Sequence, residues 1–408
     1  MNTPSPGTTE TSALSFEDLE RWRRNVRTST FSHYHYKMGV ALDSAGVPDA
    51  ALAAFRRALD IDPTRAEIYW RIADIHRRLG ETAEAETAQS QGRALDPDVE
   101  ALGMAQAAND HIDLGQYDEA EPLLCQALAA APHVAERICD TLIDMGLYRK
   151  FQKQTAEACR WLEAAAPFRD NDPTFLYEYG TVLRLNGRIE EAVDRFTRSV
   201  EIAPGVPLHR YHAGYSLALA HRLEEALAFL APLKGEASTT DYAEVLIGLC
   251  LVLAGRPGEA VAMLDGLVER VPQWSWAWAW RAYVRFRSGQ KEGAQQDLRR
   301  AFDLESEASN DTALAVRGIM HLAEGRAVDA AADFGGAAQL RPDRVIGAVG
   351  LGAARLVLGD RAGATEALFA ALAQDPSAVP YTKRLIGPLA EALSSLTEGA
   401  GKVGPSMS

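Results

Sequence analysis

The chain has 408 residues and a formal net charge of -14, with 47% hydrophobic and 24% charged residues, a balance that suits a folded protein with a sizeable core. The acidic balance argues against a nucleic-acid partner, because phosphate binding draws its affinity from clustered Lys and Arg, and the excess of Arg over Lys favours bidentate contacts with protein carboxylates. Cys125, Cys139, Cys159 and Cys250 form no CxxC pair, no signal-peptide pattern appears, and no apolar run reaches ~18 residues, so no metal or cofactor is expected and a cytoplasmic setting is.

In chain order, residues 1–15 are rich in Ser, Thr, Pro and Gly and read as a disordered tail. Residues 16–31 read as an N-terminal capping helix, with Phe16, Leu19, Trp22 or its neighbours, and Val26 facing inward. From residue 32 to 378 the chain repeats. Alanines recur at 51, 85, 120, 158, 192, 226, 260, 294, 330 and 364, spaced by 34, 35, 38, 34, 34, 34, 34, 36 and 34 residues. Four residues after each alanine stands Phe or Leu, as in Phe55, Phe196, Leu230 and Phe334; Gln89 alone breaks the column. A proline follows the second helix, as at Pro63, Pro204 and Pro342, and a glycine stands twelve residues before the alanine at Gly39, Gly180, Gly214, Gly248, Gly318 and Gly352. Small residues at the crossing let two antiparallel helices approach, the large apolar residue fills the space between them, and the proline stops the second helix.

These columns resemble the tetratricopeptide repeat family, whose unit is a 34-residue helix-turn-helix, over roughly residues 32–376. The resemblance implies an all-α fold: a right-handed superhelical solenoid of about ten repeats, with terminal capping helices. The repeats run about 32–65, 66–100, 101–134, 135–172, 173–206, 207–240, 241–274, 275–308, 311–344 and 345–378. The fourth is expected to carry about four extra residues between its helices, at RKFQKQT. The sixth and eighth have Ser238 and Ser306 where a terminal proline is usual, so their second helices are expected to run on or end softly. Residues 379–398 read as one C-terminal capping helix, with Leu385, Leu389, Leu393 and Leu396 docking on the last repeat, and 399–408 as a tail.

In the resembled family the first helix of each repeat lines a concave face. Carried onto this sequence, that register gives a mixed polar lining early in the chain, including His33, Tyr36, Trp70, Asp74, Arg77 and Arg78, and an apolar, aromatic lining later. The candidate peptide-binding residues are Tyr211, Tyr215, Tyr242, Leu249, Trp276, Tyr283, Phe286 and Arg287, with Arg287 pairing a ligand carboxylate; Arg77, Arg78 and Arg184 are further candidate carboxylate contacts. Two arrangements fit these residues. Either they line an open groove, or tight curvature packs them on one another or on the C-terminal helix. Within Trp274, Trp276, Trp278 and Trp280, helical spacing pairs Trp274 with Trp278 and Trp276 with Trp280.

Catalytic and metal motifs find little support. GAVGLG at 347–352 lacks the order of a phosphate loop and reads as close helix packing. His76, His111 and His321 share one repeat column and read as hydrogen-bonded structural groups, and His33, His35, His209 and His212 lack a third ligand at metal spacing. No catalytic residue is assigned. The function expected is a scaffold that captures a peptide or helix of a partner protein, with two alternatives: a non-catalytic recruiting arm for a separate glycosyltransferase or other transferase, and a self-assembling structural protein, which leaves a homo-oligomer open.

Overall fold

The computed structural model describes residues 31–233 and 240–396; the expected tails at 1–15 and 399–408, nearly all of the 16–31 helix, and Ser238 lie outside them. Among the described residues every regular element is helical. Ten pairs follow in order: α1 (31–44) with α2 (Pro48–Ile61), α3 (Ala66–Leu79) with α4 (Thr82–Leu95), α5 (Val99–Asp113) with α6 (Tyr117–Ala130), α7 (Cys139–Phe151) with α8 (Thr155–Ala165), and α9 (Pro173–Leu185) with α10 (Ile189–Ile202). They continue with α11 (Pro207–Leu219) and α12 (Leu223–Leu230), α13 (Thr240–Leu253) and α14 (Pro257–Arg270), α15 (Ser275–Arg287) and α16 (Lys291–Leu304), α17 (Asp311–Ala323) and α18 (Ala327–Leu340), and α19 (Val345–Val357) and α20 (Arg361–Gln374). Two short helices, α21 (Ala378–Ile386) and α22 (Pro388–Glu391), follow. The chain forms two compact units, residues 1–148 and 149–408, which are treated separately below.

The sequence columns have a direct steric meaning. Where the first helix carries the column glycine at 39, 180, 214, 248 or 318, that glycine makes room for the Phe or Leu sixteen residues later: a Cβ on Gly39 would lie 2.7 Å from the Phe55 ring, and one on Gly214 would lie 2.5 Å from Leu230. The same pairing joins Gly180 to Phe196, Gly248 to Leu264 and Gly318 to Phe334. The large partner is fully buried in each, and so are the column alanines such as Ala51, Ala192 and Ala330. Dense, interlocking contacts of this kind hold these pairs together. GAVGLG obeys the same rule, since a Cβ on Gly347 would strike the backbone of Ala338 at 2.5 Å and one on Gly350 would strike Phe334 at 2.2 Å.

Each turn between paired helices contains one residue of left-handed φ. Eight are glycine, as at Gly187 (79°), but the fourth and sixth repeats use Lys153 (61°) and His221 (63°), which pay a Cβ clash that glycine lacks. An arginine follows several of these turns and forms a repeating surface ladder in the second unit. Arg188 pairs with Glu191 and Glu163, Arg222 with Glu225 and Glu190, and Arg256 with Glu259 and Glu224, so each arginine ties its own helix to the preceding repeat.

Three expectations about irregular repeats need correction. The turn at RKFQKQT is as short as its neighbours, and the extra residues of the fourth repeat lie ahead of α7, in a segment with a 3-10 turn at Pro132–Glu136. Pro132 cannot continue α6 as a helix, so the chain makes a separate tight turn before α7 starts. Of the two outcomes expected for the sixth and eighth repeats, running on or ending softly, α12 takes the second, since it is eight residues long and gives way to a 3-10 turn at Ala231–Leu233, while α16 has the usual fourteen and takes neither. Finally, the C-terminal segment is two helices, because Gly387 takes a φ of 111° and Pro388 follows it. Leu385 and Leu393 are buried and Leu396 packs on the core, whereas Leu389 is exposed.

Candidate functional site

In the first unit the inward faces of α1, α3 and α5 meet in a polar network centred on Asp110, which is 5% exposed. Its carboxylate accepts from the Tyr36 hydroxyl (2.7 Å), Lys37 (2.9 Å) and Arg71 (2.5 Å). Burial pushes the Tyr36 phenol well above its ordinary pKa, so it stays a neutral donor. Arg77 and Arg78 stand nearby on α3, but each already holds a carboxylate of this unit: Arg77 pairs with Asp74, and Arg78 with Asp74 and Asp43. The polar lining expected early in the chain is thus largely satisfied by its own ion pairs.

In the second unit, the first helices α11, α13, α15 and α19 present the expected aromatic lining, and α21 lies against it. Helix α21 packs on α11, α13 and α19 and buries Val379, Tyr381, Leu385 and Ile386 in the second unit's core. The structure therefore follows the closed alternative for part of the lining. Tyr283 is fully buried, and its hydroxyl donates to the Leu385 carbonyl at 2.9 Å. Arg287 donates to the same carbonyl at 3.2 Å and to the Tyr283 oxygen at 2.8 Å. Instead of waiting for a ligand carboxylate, Arg287 holds the end of a helix of its own chain. Burial drives the Tyr283 pKa up to about 12. Arg184 meets a carboxylate, but an intramolecular one: it donates to Asp375 at 2.8 Å, joining the fifth repeat to the end of the tenth.

Five of the eight candidate peptide contacts, Tyr211, Tyr215, Tyr242, Leu249 and Trp276, line a cleft of about 350 Å³ left beside α21, which Tyr283, Phe286 and Arg287 do not reach. Tyr242 is 48% exposed at the mouth of the cleft, packed against Trp274 and Trp276 with ring centroids 5.1 Å away in both cases. The tryptophan pairing differs from helical expectation at one position. Trp274 precedes the first turn of α15 and so stacks near Trp276, at 4.8 Å, while Trp278 turns its indole N–H to the Pro272 carbonyl and carries Arg281 on its face. Trp276 and Trp280 do share a face, at 6.2 Å. The cleft also takes in Asp343, Arg344, Asp375, Tyr381 and Thr382, which the repeat register did not mark. Those residues lie in inter-repeat loops or on α21, and no first-helix column points to them.

Histidines serve locally. His76 bonds Glu81 and His111 bonds Gln116, while His321 Nδ1 lies 2.9 Å from Asp333. His209 pairs with Ser199 at 2.8 Å. His212 is wedged among the rings of Tyr177, Phe196 and Tyr211, and burial together with the charge of Arg184 lowers its pKa to about 4. Among the described residues no helix is long and apolar enough to cross a membrane.

Comparison with known proteins places these features. A tetratricopeptide repeat family model matches residues 44–108. No curated protein matches. A solved tetratricopeptide repeat protein from Parabacteroides merdae is similar, at 17% identity over 64% of this chain and 99% of that one, with a TM-score of 0.50. YrrB, a TPR protein described as having an unusual peptide-binding site, matches at 19% identity over 47% of this chain and 96% of its own, with a TM-score of 0.37. Yeast Tom70 matches at 12% identity over 91% of this chain and 97% of its own, with a TM-score of 0.38.

Proposed function

The chain belongs to the tetratricopeptide repeat family, and from that premise we propose that it is a non-catalytic scaffold that captures a peptide segment of a partner protein at the aromatic cleft of its second unit. The repeat fold supports protein-interaction scaffolds in general, because stacked helical pairs build long surfaces whose lining changes without changing the fold. The observation that carries the finer reading is the exposed Tyr242 packed on the partly buried Trp276, both lining a mostly apolar cleft. Tyr and Trp on a water-accessible edge over an apolar hollow are the groups that dominate interface energies when a partner side chain covers them. Tyr211 and Leu249 form the inner wall, and Arg344 stands at the rim, held by Asp311 at 3.0 Å. The segment that fits carries an apolar or aromatic side chain for the hollow.

Quantitative co-purification of wild type, Tyr242→Ala and Trp276→Ala tests this. Each substitution removes a partly exposed anchor from the lip of the cleft and is expected to weaken partner retention about tenfold or more. Retention unchanged in both variants would mean that the partner binds elsewhere.

A further inference from the structure

Helix α21 is held like a bound ligand. At its first turn, Asp375 accepts from the backbone N–H groups of Ser377 (3.1 Å) and Ala378 (3.2 Å), and its other oxygen takes the Arg184 guanidinium. At its last turn, the orphan carbonyl of Leu385 receives both the Tyr283 hydroxyl and Arg287, and that cation faces the negative end of the helix dipole. Both ends are therefore read by side chains of other helices, α9 and α15, far away in sequence. Between these ends the fit is poor. The Tyr381 hydroxyl is buried without a hydrogen-bond partner, and the Lys383 ammonium is buried with only Ser394 as acceptor. Burial lowers the Lys383 pKa, and the charge of Glu391 only partly opposes the shift.

We propose that the surface beneath α21 is a helix-binding groove with a built-in acceptor for a helix C-terminus, and that α21 is its resident occupant, exchangeable for a partner's short amphipathic helix. The partner helix carries α21's apolar pattern, with Phe where α21 has Tyr381, and ends inside the groove so that Tyr283 and Arg287 cap its last carbonyls. Its buried face is uncharged, because the Lys383 ammonium is buried against a hydroxyl, that of Ser394, and burial disfavours its charge. This deepens the scaffold reading by naming the partner's chemistry. The device that releases α21 is the Arg184–Asp375 pair: Asp375 caps the first turn of the resident helix and Arg184 holds that carboxylate in place.

The test uses the full chain and a synthetic peptide spanning residues 377–387 with Tyr381→Phe. In hydrogen exchange, Arg184→Gln is expected to speed exchange of the 378–386 amides about tenfold, while Tyr381→Phe slows it, with α17 and α18 unchanged in both as the control for intact folding. The peptide should bind Arg184→Gln about tenfold tighter than wild type. Exchange of 378–386 unaltered by Arg184→Gln, or equal peptide binding to wild type and Arg184→Gln, overturns the proposal. Neither readout needs a native partner, so a failure here is distinct from a failure to retain one at the aromatic cleft.

Discussion

Substituting Gly350 with Ala tests the packing rule that builds the whole array. A Cβ there would sit 2.2 Å from Cδ1 and 2.3 Å from Cε1 of Phe334, roughly 1 Å inside ordinary carbon contact. The ring is fully buried between Gly350 and Gly318, so it can retreat only by pressing on the α17 backbone. Overpacking of this kind costs about 1–3 kcal/mol, and the better helix propensity of alanine returns about 1 kcal/mol. A clash as deep as 2.2 Å belongs in the upper half of that cost, so the net loss is about 1–2 kcal/mol, local to the ninth and tenth repeats. Amide protection across α17, α18 and α19 should therefore fall by a factor of about 5–30. The double variant Gly350→Ala/Phe334→Leu should recover about 1 kcal/mol relative to the sum of the single changes, since the sixth and seventh repeats already use Leu230 and Leu264 in that place. Protection in Gly350→Ala equal to or above that of wild type would refute the claim that these glycines exist to admit the ring.

Two further outcomes follow from backbone strain and from burial. Lys153→Gly and His221→Gly place glycine at the two turns where another residue holds a left-handed φ, and each should stabilise the protein by about 0.5–1 kcal/mol, seen as a higher midpoint of thermal unfolding. A drop in either midpoint would show that the side chain, rather than the turn, sets the cost. His212 has a folded pKa of about 4, below its unfolded value near 6.5, so the unfolded chain binds the extra proton first as pH falls. Stability contributed by the neutral ring is complete above pH ~6.5 and is lost as pH falls towards 4, by roughly 3 kcal/mol in all. Urea unfolding across that window should show a sag in wild type that His212→Phe, which fills the same aromatic box, reduces; an identical pH profile in the variant would contradict the assignment.

Much of the fold was legible because each repeat writes its packing in local sequence. Gly180 and Phe196, or Gly318 and Phe334, stand at a fixed separation and meet inside one helical pair, so no knowledge of distant residues is needed to pair them. The irregular fourth repeat was placed by its spacing of 38 residues, yet the extra residues were put in the wrong loop, since the turn at Lys153 keeps its length by letting a lysine adopt the left-handed conformation. The site was less legible. First-helix register put Tyr211, Tyr242 and Trp276 on one lining, and all three line the cleft beside α21, but register could not show that Arg184 meets Asp375 across 191 residues, or that α21 turns in to cover Tyr283. Those contacts depend on curvature accumulated over six repeats, a sum of small rotations that no single repeat encodes. The break at Gly387-Pro388 was readable as turn chemistry, although the leucine period across 385–396 suggested one continuous helix.

The central claim is that a partner protein is held at the cleft marked by Tyr242 and Trp276. Its most direct measurement is site-specific photocrosslinking in the native cell, with a photoreactive residue placed at Tyr242 and, in a second strain, at Val328, which is 70% exposed on α18. The account predicts a defined partner peptide joined to position 242, absent from 328, and lost when Trp276→Ala is added. The same crosslinked species at both positions, or one at 328 alone, would contradict it.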